Sequence, residues 1–226
     1  RCAAILLARL CRWLCQMSEL TDEGPGQKQS LKLYDRISKS FPSVTERYFK
    51  PRFHLDANKK EGHDQCALFH SNRIVLVTLA PSHPIIREKK TVVKVDYQVN
   101  EKLNRLNNQV SGKWKKGGQK LQKESPLCIV TCSDGEIYTV ISTVPGSLIE
   151  VNDHLSTSPD LLTKKPWSSG YIAIVLPPLK MDTMLLDTMM SPEAYVAARR
   201  ELIPTCHISD EEMFVHQRLP LIMEDS

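Results

Sequence analysis

Residues 127–151, LCIVTCSDGEIYTVISTVPGSLIEV, decide the fold of this chain. Two runs rich in apolar and β-branched residues, 127–132 and 136–144, lie on either side of Asp134-Gly135, and a third run follows Gly146. An Asp-Gly pair between two such runs predicts a tight β-hairpin. Glycine at the entrance of the third run indicates a bend or a close approach of two backbones.

Other short strands are predicted on both sides of this stretch. Residues 66–70 and 73–80 form a second hairpin, and residues 171–176 form a late strand. Residues 91–99 alternate in polarity, which predicts a half-buried strand with these side chains on its apolar face: Val93, Val95, Tyr97 and Val99. The regular short spacing favours a compact all-β sandwich or barrel.

One helix is predicted near the end of the sequence. Ser191 can cap it, Pro192 suits its first position, and Pro204 ends it. We therefore divide the chain into three parts. They are a leader and linker, disordered or partly helical (residues 1–44), a β domain that begins with an aromatic arm (45–180), and a helical extension and tail (181–226).

The composition is that of a globular protein with a mild positive charge. Hydrophobic residues make up 41% of the chain, and 30 basic against 26 acidic residues give a net charge of +4. This excess is smaller than nucleic-acid-binding proteins usually carry. Seven cysteines form neither a dense disulfide framework nor paired CxxC motifs, so we expect a reducing, intracellular setting. The apolar residues 2–15 are too few to span a bilayer, and an amphipathic helix on a membrane surface is the less favoured alternative for them. We expect no membrane partner.

A basic run precedes the central hairpin. Its members are Lys113, Trp114, Lys115, Lys116, Lys120 and Lys123. Such a run can attract an acidic partner, and its tryptophan can anchor a protein or stack on a base. In the alternative interpretation, the lysines form a solvated face and the tryptophan belongs to the core.

Two polar groups look like sites but are better explained as structural residues. The spacing of His63, Asp64, Cys66 and His70 matches no common zinc pattern. Along a strand, Cys66 and His70 are too far apart for a thiol and its base. Asp134 and Glu136 lie at an exposed hairpin tip, where we expect no perturbed acidity. We predict no catalytic residue, no metal, no cofactor and no small-molecule substrate.

Residues 110–177 resemble the lipoyl and biotinyl carrier domains. The likeness rests on two equivalent glycines, Gly112 and Gly146, on the hairpin turn at 133–136 and on a closing strand at 170–175. Residues 144–152 are also similar to a segment of the glycine cleavage H-protein. The resemblance implies a mainly β, carrier-like sandwich or barrel. Those carriers attach their cofactor to a lysine at the hairpin tip. That position falls here on Gly135, and no lysine lies between Lys123 and Lys164, so a covalently modified carrier is disfavoured.

A wider set of motifs resembles the Abitram (Simiate) family. The motifs are ERYFKPRF at 46–53, GHDQCALFHSNRI at 62–74 and CSDG at 132–135. The resemblance implies a non-enzymatic protein that binds monomeric and filamentous actin and regulates actin polymerisation, filopodia and neurite dynamics. It also implies a location in nuclear speckles and in the cytoplasm, including actin-rich projections.

The alternative function is a nuclear protein associated with nucleic acid, or with the transcription and splicing machinery, through the same basic surface. The sequence permits a homo-oligomer.

Overall fold

The computed structural model describes residues 44–112, 117–179 and 181–202. Within these residues the strands are β1 Phe49–His54, β2 Gln65–His70, β3 Val75–Leu79, β4 Val92–Asp96, β5 Gln98–Asn100, β6 Leu103–Asn104, β7 Lys120–Leu121, β8 Pro126–Cys132, β9 Ile137–Ile141, β10 Gly146–Val151 and β11 Ala173–Leu176. The helices are α1 Val44–Tyr48, α2 Pro84–Arg87, α3 His154–Thr157, α4 Leu161–Lys164, α5 Met181–Thr188 and α6 Pro192–Ala198, with a 3-10 turn at Ala57–Lys59. The predicted mainly β class is confirmed. Of the predicted leader and linker, the described residues include only Val44. Of the predicted extension and tail, they include residues 181–202.

The strands form two main antiparallel sheets and a small ribbon. The larger sheet has six strands in the order β1-β2-β3-β11-β10-β7, the second has the order β4-β8-β9, and β5 pairs with β6. Both predicted hairpins, β2–β3 and β8–β9, are present. A Cβ atom on Gly146 would lie 2.5 Å from the Leu176 carbonyl oxygen, so this glycine permits the close approach of β10 and β11.

Side chains from both main sheets share one core. The six-stranded sheet contributes Val77 and Leu148, and the three-stranded sheet contributes Val95, Val130 and Val140. All five are buried, and each such apolar side chain stabilises the fold by about 1.5–3 kcal/mol relative to exposure. The arrangement is a sandwich, as predicted.

The predicted inward face of β4 is wrong at one position. Val93 is 58% exposed, whereas its neighbour Val92 is only 5% exposed. The register between β4 and β8 shifts between Val92 and Lys94, which is the mark of a β-bulge. Because the bulge adds one residue to the strand, the alternation reverses there, and Val95 and Tyr97 return to the core as predicted.

The C-terminal residues 181–199, which we call the strap, pass across the edge strand β1. On one side, the Arg52 Nε donates to the Leu186 carbonyl at 2.7 Å. At the edge, the Phe53 N–H donates to the Met190 carbonyl at 3.0 Å. On the other side, the Tyr195 ring stacks on Phe53 with 3.9 Å between centroids. The strap therefore covers part of the edge of the six-stranded sheet.

The predicted helix is α6, and its cap is confirmed because the Ala194 N–H donates to Ser191 Oγ at 3.3 Å. The helix ends at Ala198, earlier than predicted. The domain bounds at residues 45–180 and 181–226 stay a prediction.

A buried ion pair fixes the end of the strap. Asp64 is fully buried and accepts hydrogen bonds from Arg199 Nε at 2.7 Å and from Ser82 Oγ at 2.5 Å. The Tyr195 hydroxyl lies 2.6 Å from the same Ser82 oxygen. Burial by itself raises the pKa of Asp64, but the hydrogen bonds from Arg199 and Ser82 outweigh it, and the pKa is lowered. Asp64 is thus held as a carboxylate beneath α6.

No helix in residues 44–112, 117–179 and 181–202 combines the length and the apolar character needed to cross a membrane.

Candidate functional site

Gly135 occupies the tip of the β8–β9 hairpin. Its φ angle is +85°, and its N–H donates to the Cys132 carbonyl at 3.1 Å, which closes the turn. A Cβ atom on Gly135 would meet nothing within 4 Å, so the tip projects into open space. The position that corresponds by resemblance to a carrier lysine is therefore exposed and has no amine.

Lys90, which precedes β4, brings an amine to this tip from another part of the chain. Its Nζ lies 2.6 Å from Asp134 Oδ2, 2.8 Å from Glu136 Oε2 and 3.3 Å from Glu88 Oε2. We call these four residues the Lys90 clamp. Hydrogen bonds from Lys90 to Asp134 and Glu136 raise the pKa of the lysine. Three carboxylates hold this amine and favour its protonated form, so Lys90 is a poorer nucleophile than a free surface lysine.

The Lys90 clamp corrects the expectation of unperturbed acidity at the tip. Its hydrogen bonds lower the pKa of Asp134 and that of Glu136. Both groups are held as carboxylates, which makes them poor general acids. Tyr138 donates its hydroxyl proton to Glu136, and burial together with this hydrogen bond raises the pKa of Tyr138 to about 12.

The four residues that looked like a metal cluster have separate roles. Asp64 anchors the strap, and Cys66 is fully buried, which raises the pKa of its thiol. His70 contacts the Phe49 ring at 5.0 Å, whereas His63 faces the His83 ring at 5.4 Å. In the part of the chain that the structure describes, no group of three His, Cys, Asp or Glu side chains is placed to hold a metal ion.

The basic run forms part of a loop with a closed base. Lys113, Trp114, Lys115 and Lys116 lie outside the described residues, so their role as partner contacts stays a prediction. The described residues on either side meet, because a Cβ atom on Gly117 would lie 2.6 Å from the Gln109 carbonyl oxygen. The residues that precede and follow positions 110–116 are therefore close neighbours in space. We call residues 110–116 the basic loop.

The base of the basic loop is attached to the edge of the six-stranded sheet. The Gln119 N–H donates to Asn108 Oδ1 at 2.8 Å. Asn108 Nδ2 in turn donates to the carbonyl oxygens of Leu148 and Ile149 at 3.0 and 3.1 Å. These bonds satisfy backbone acceptors of β10 beside the short strand β7. They also fix the backbone at Gln119, two residues after Gly117.

Lys120 and Lys123 are exposed beside this base. Lys120 Nζ donates to Ser147 Oγ at 2.7 Å, and within the described residues neither lysine forms an ion pair. Burial and then the charge of Lys123 lower the pKa of His54. Residues 98–126 contain seven basic and two acidic residues, a net charge of +5, whereas the whole chain carries +4. The positive charge of the protein is therefore concentrated around the basic loop.

Comparisons with known proteins agree with this architecture. The family model for the glycine cleavage H-protein matches residues 82–201, more than half of the chain. The human protein Abitram is 43% identical over 154 residues, which cover 68% of this chain and 85% of that protein. This chain belongs to the Abitram family and to the wider glycine cleavage H-protein family.

Two further Abitram proteins are similar over comparable shares of the chain. The Xenopus tropicalis protein is 43% identical over 155 residues, covering 69% of this chain and 85% of its own length. The Dictyostelium discoideum protein is 36% identical over 156 residues, covering 68% and 86%. A solved glycine cleavage system H protein from Mycobacterium marinum is similar with a TM-score of 0.43 and 14% identity, covering 66% of this chain and 96% of that one.

This member of the Abitram family is a non-lipoyl relative of the H-protein. Gly135 stands at the hairpin tip, and Lys90 is held there by carboxylates. Sequence reasoning missed Lys90, because it lies 44 residues from Asp134 and no local motif connects the two.

Proposed function

We propose that this Abitram-family chain is a non-enzymatic actin-binding protein. It regulates actin polymerisation in filopodia and neurites, and it is present in nuclear speckles and in the cytoplasm. The observation that supports this proposal most is the concentration of positive charge in residues 98–126, where Lys120 and Lys123 are exposed at the edge of the six-stranded sheet.

Electrostatic complementarity supports actin as the partner. Actin is acidic, and residues 98–126 carry a net charge of +5. Each exposed pair of opposite charges at 4 Å contributes only about 1 kcal/mol in water, so binding requires several lysines together. Their field extends about 8 Å at physiological salt, which favours fast, oriented association over tight contact. Binding is therefore expected to weaken as salt rises.

The arrangement of the hairpin tip supports a non-enzymatic role. The amine of Lys90 is protonated and surrounded by carboxylates. Asp134 and Glu136 are in turn engaged by Lys90, so the tip presents neither a free nucleophile nor a free general acid.

Co-sedimentation of the full chain with filamentous actin tests the proposal, together with a fluorescence assay for monomer binding, each at low and high salt. The variant Lys113→Glu/Lys115→Glu/Lys116→Glu is expected to weaken binding at least about tenfold. The matched control, Lys50→Glu/Lys59→Glu/Lys60→Glu, changes the net charge equally on exposed lysines outside residues 98–126 and is expected to bind normally.

Two results would overturn the proposal. One is an absence of actin binding by the unmodified chain at low salt. The other is equal binding by the two triple variants. Affinity for duplex DNA with a log–log salt slope of about −0.9 per neutralised phosphate, and no affinity for actin, would support the nuclear alternative instead.

A further inference from the structure

The outer face of the three-stranded sheet carries two exposed apolar side chains in one row. Ile137 is 59% exposed, and Val93 is 58% exposed. Thr131 of the central strand β8 pairs with Ile137 of β9 and with Lys94 of β4, and Val93 stands beside Lys94 at the bulge. The row therefore crosses all three strands. Single exposed apolar residues are common on protein surfaces, whereas two that flank one threonine form a patch.

A second row continues the same face. Ile129 of β8 pairs with Thr139 of β9 and with Asp96 of β4, two residues away from the first row on each strand. Side chains two residues apart along a strand lie on the same face. All three residues of this row are partly exposed, so they face outward as well. We call the residues of both rows the outer patch: Val93, Lys94, Asp96, Ile129, Thr131, Ile137 and Thr139.

The outer patch contains one charge of each sign. Lys94 Nζ lies 2.5 Å from Asp96 Oδ2, and both side chains are in contact with solvent. An exposed ion pair of this kind contributes little to stability, so either group can exchange its partner at low cost. Because the patch as a whole is neutral, it is a poor match for a strongly acidic protein such as actin and for nucleic acid.

A second copy of the chain matches this arrangement. Its sheet can be turned by half a turn about an axis that lies between the two faces and runs across the strands. Each strand then lies over the same strand of the other copy in the opposite direction, and the two rows change places. Lys94 of each copy faces Asp96 of the other, and Ile137 faces Thr139. The outer patch is thus complementary to itself, as the interface of a two-fold symmetric dimer must be.

We propose that the outer patch is a homodimer interface, through which two copies of the chain pack their three-stranded sheets face to face. The edge strands β4 and β9 have five residues each, so the face measures about 14 Å by about 17 Å. This area is well below the roughly 800 Å² that each partner buries in a standard interface. The dimer is therefore weak and reversible, with a dissociation constant in the micromolar range or above. The inference does not depend on actin and goes beyond the proposed function.

Sedimentation equilibrium of the full chain over a concentration series tests the inference. The unmodified chain is expected to change from monomer to dimer as the concentration rises. Ile137→Asp places a carboxylate in the apolar part of the interface, so it is expected to weaken the dimer at least about tenfold. The matched control is Met184→Asp on α5, where the replaced side chain is similarly exposed, at 50%. This variant is expected to dimerise like the unmodified chain.

Two charge variants test the orientation of the two copies. In a homodimer of Lys94→Asp or of Asp96→Lys, like charges face each other at two places, so each variant is expected to dimerise at least about tenfold more weakly. An equal mixture of the two variants places opposite charges at both positions and is expected to form a heterodimer. This recovery separates contacts between copies from contacts within one copy, because each chain in the mixture still lacks its internal ion pair.

Three results would overturn the inference. The first is an unmodified chain that stays monomeric throughout the concentration series. The second is equal dimerisation by Ile137→Asp and Met184→Asp while both are folded. The third is a mixture of the two charge variants that associates no better than either variant alone. None of these results bears on actin binding, and an absence of actin binding leaves the dimer interface in place, so the two proposals fail separately.

Discussion

Replacing His83 with asparagine is expected to remove a large part of the pH dependence of stability. His83 is 1% exposed, and its Nδ1 accepts from the Ile85 N–H at 3.3 Å as the cap of α2. An asparagine side chain can make the same cap. The variant therefore removes a titratable group while it keeps the local hydrogen bond.

The size of the effect follows from the pKa of His83. Burial, with a smaller contribution from His63, lowers this pKa from 6.5 to about 3. Because the folded pKa lies below the unfolded one, the unfolded chain binds the proton more readily, and stability falls as pH drops below 6.5. From about pH 8 to about pH 5, this histidine alone is expected to remove about 2 kcal/mol from the free energy of unfolding.

Urea denaturation at a series of pH values between these limits measures the effect. His83→Asn is expected to be less stable at neutral pH by about 1 kcal/mol, because asparagine leaves a small cavity. Its free energy of unfolding is then expected to fall by about 2 kcal/mol less than that of the unmodified protein on acidification. The pKa values of His54 and His63 are also lowered, but both proteins retain these groups. Parallel stability curves for the two proteins would show that His83 does not titrate with a lowered pKa in the folded protein.

Three further substitutions test other parts of the structure. Arg199→Met leaves the buried Asp64 carboxylate without its cation, and urea denaturation is expected to show a free energy of unfolding lower by about 3–5 kcal/mol. A decrease below about 1 kcal/mol would contradict the buried ion pair. Gly117→Ala brings a Cβ atom to 2.6 Å from the Gln109 carbonyl oxygen at φ +88°. We therefore expect weaker actin binding and a free energy of unfolding lower by about 1–3 kcal/mol. Unchanged binding and stability would argue against a close contact between Gly117 and Gln109. Gly135→Ala has open space at φ +85°, so urea denaturation should show a loss of only about 1 kcal/mol and actin binding should not change; a larger loss would mean that the tip is packed.

The local parts of the fold could be predicted because their signals are local. Two runs rich in apolar and β-branched residues around Asp134-Gly135 predict the β8–β9 hairpin, and Ser191 with Pro192 predicts the start of α6. Val93 was assigned to the wrong face, since the bulge depends on how β4 pairs with β8 and not on β4 alone. The strap was predicted only as a helix, because its contact with Phe53 joins distant parts of the chain.

The candidate site was harder to predict for the same reason. The basic run was visible in the sequence, and Lys120 and Lys123 are exposed. The buried Arg105 donates to the oxygens of Pro126 and Gln119, and these neutral partners leave no charge pattern to recognise in the sequence. Similarly, the Lys90 clamp joins Lys90 to Asp134 and Glu136, which lie 44 and 46 positions further along the chain. Such contacts depend on strand packing, which a single sequence does not specify.

Co-sedimentation of the full chain with filamentous actin at low salt, with the loop variant Lys113→Glu/Lys115→Glu/Lys116→Glu beside it, tests actin binding most directly. We expect the unmodified chain to sediment with the filaments and high salt to reduce this binding, whereas the loop variant stays in the supernatant while folded. Filament binding that is equal for both proteins, or absent for both, would contradict this expectation.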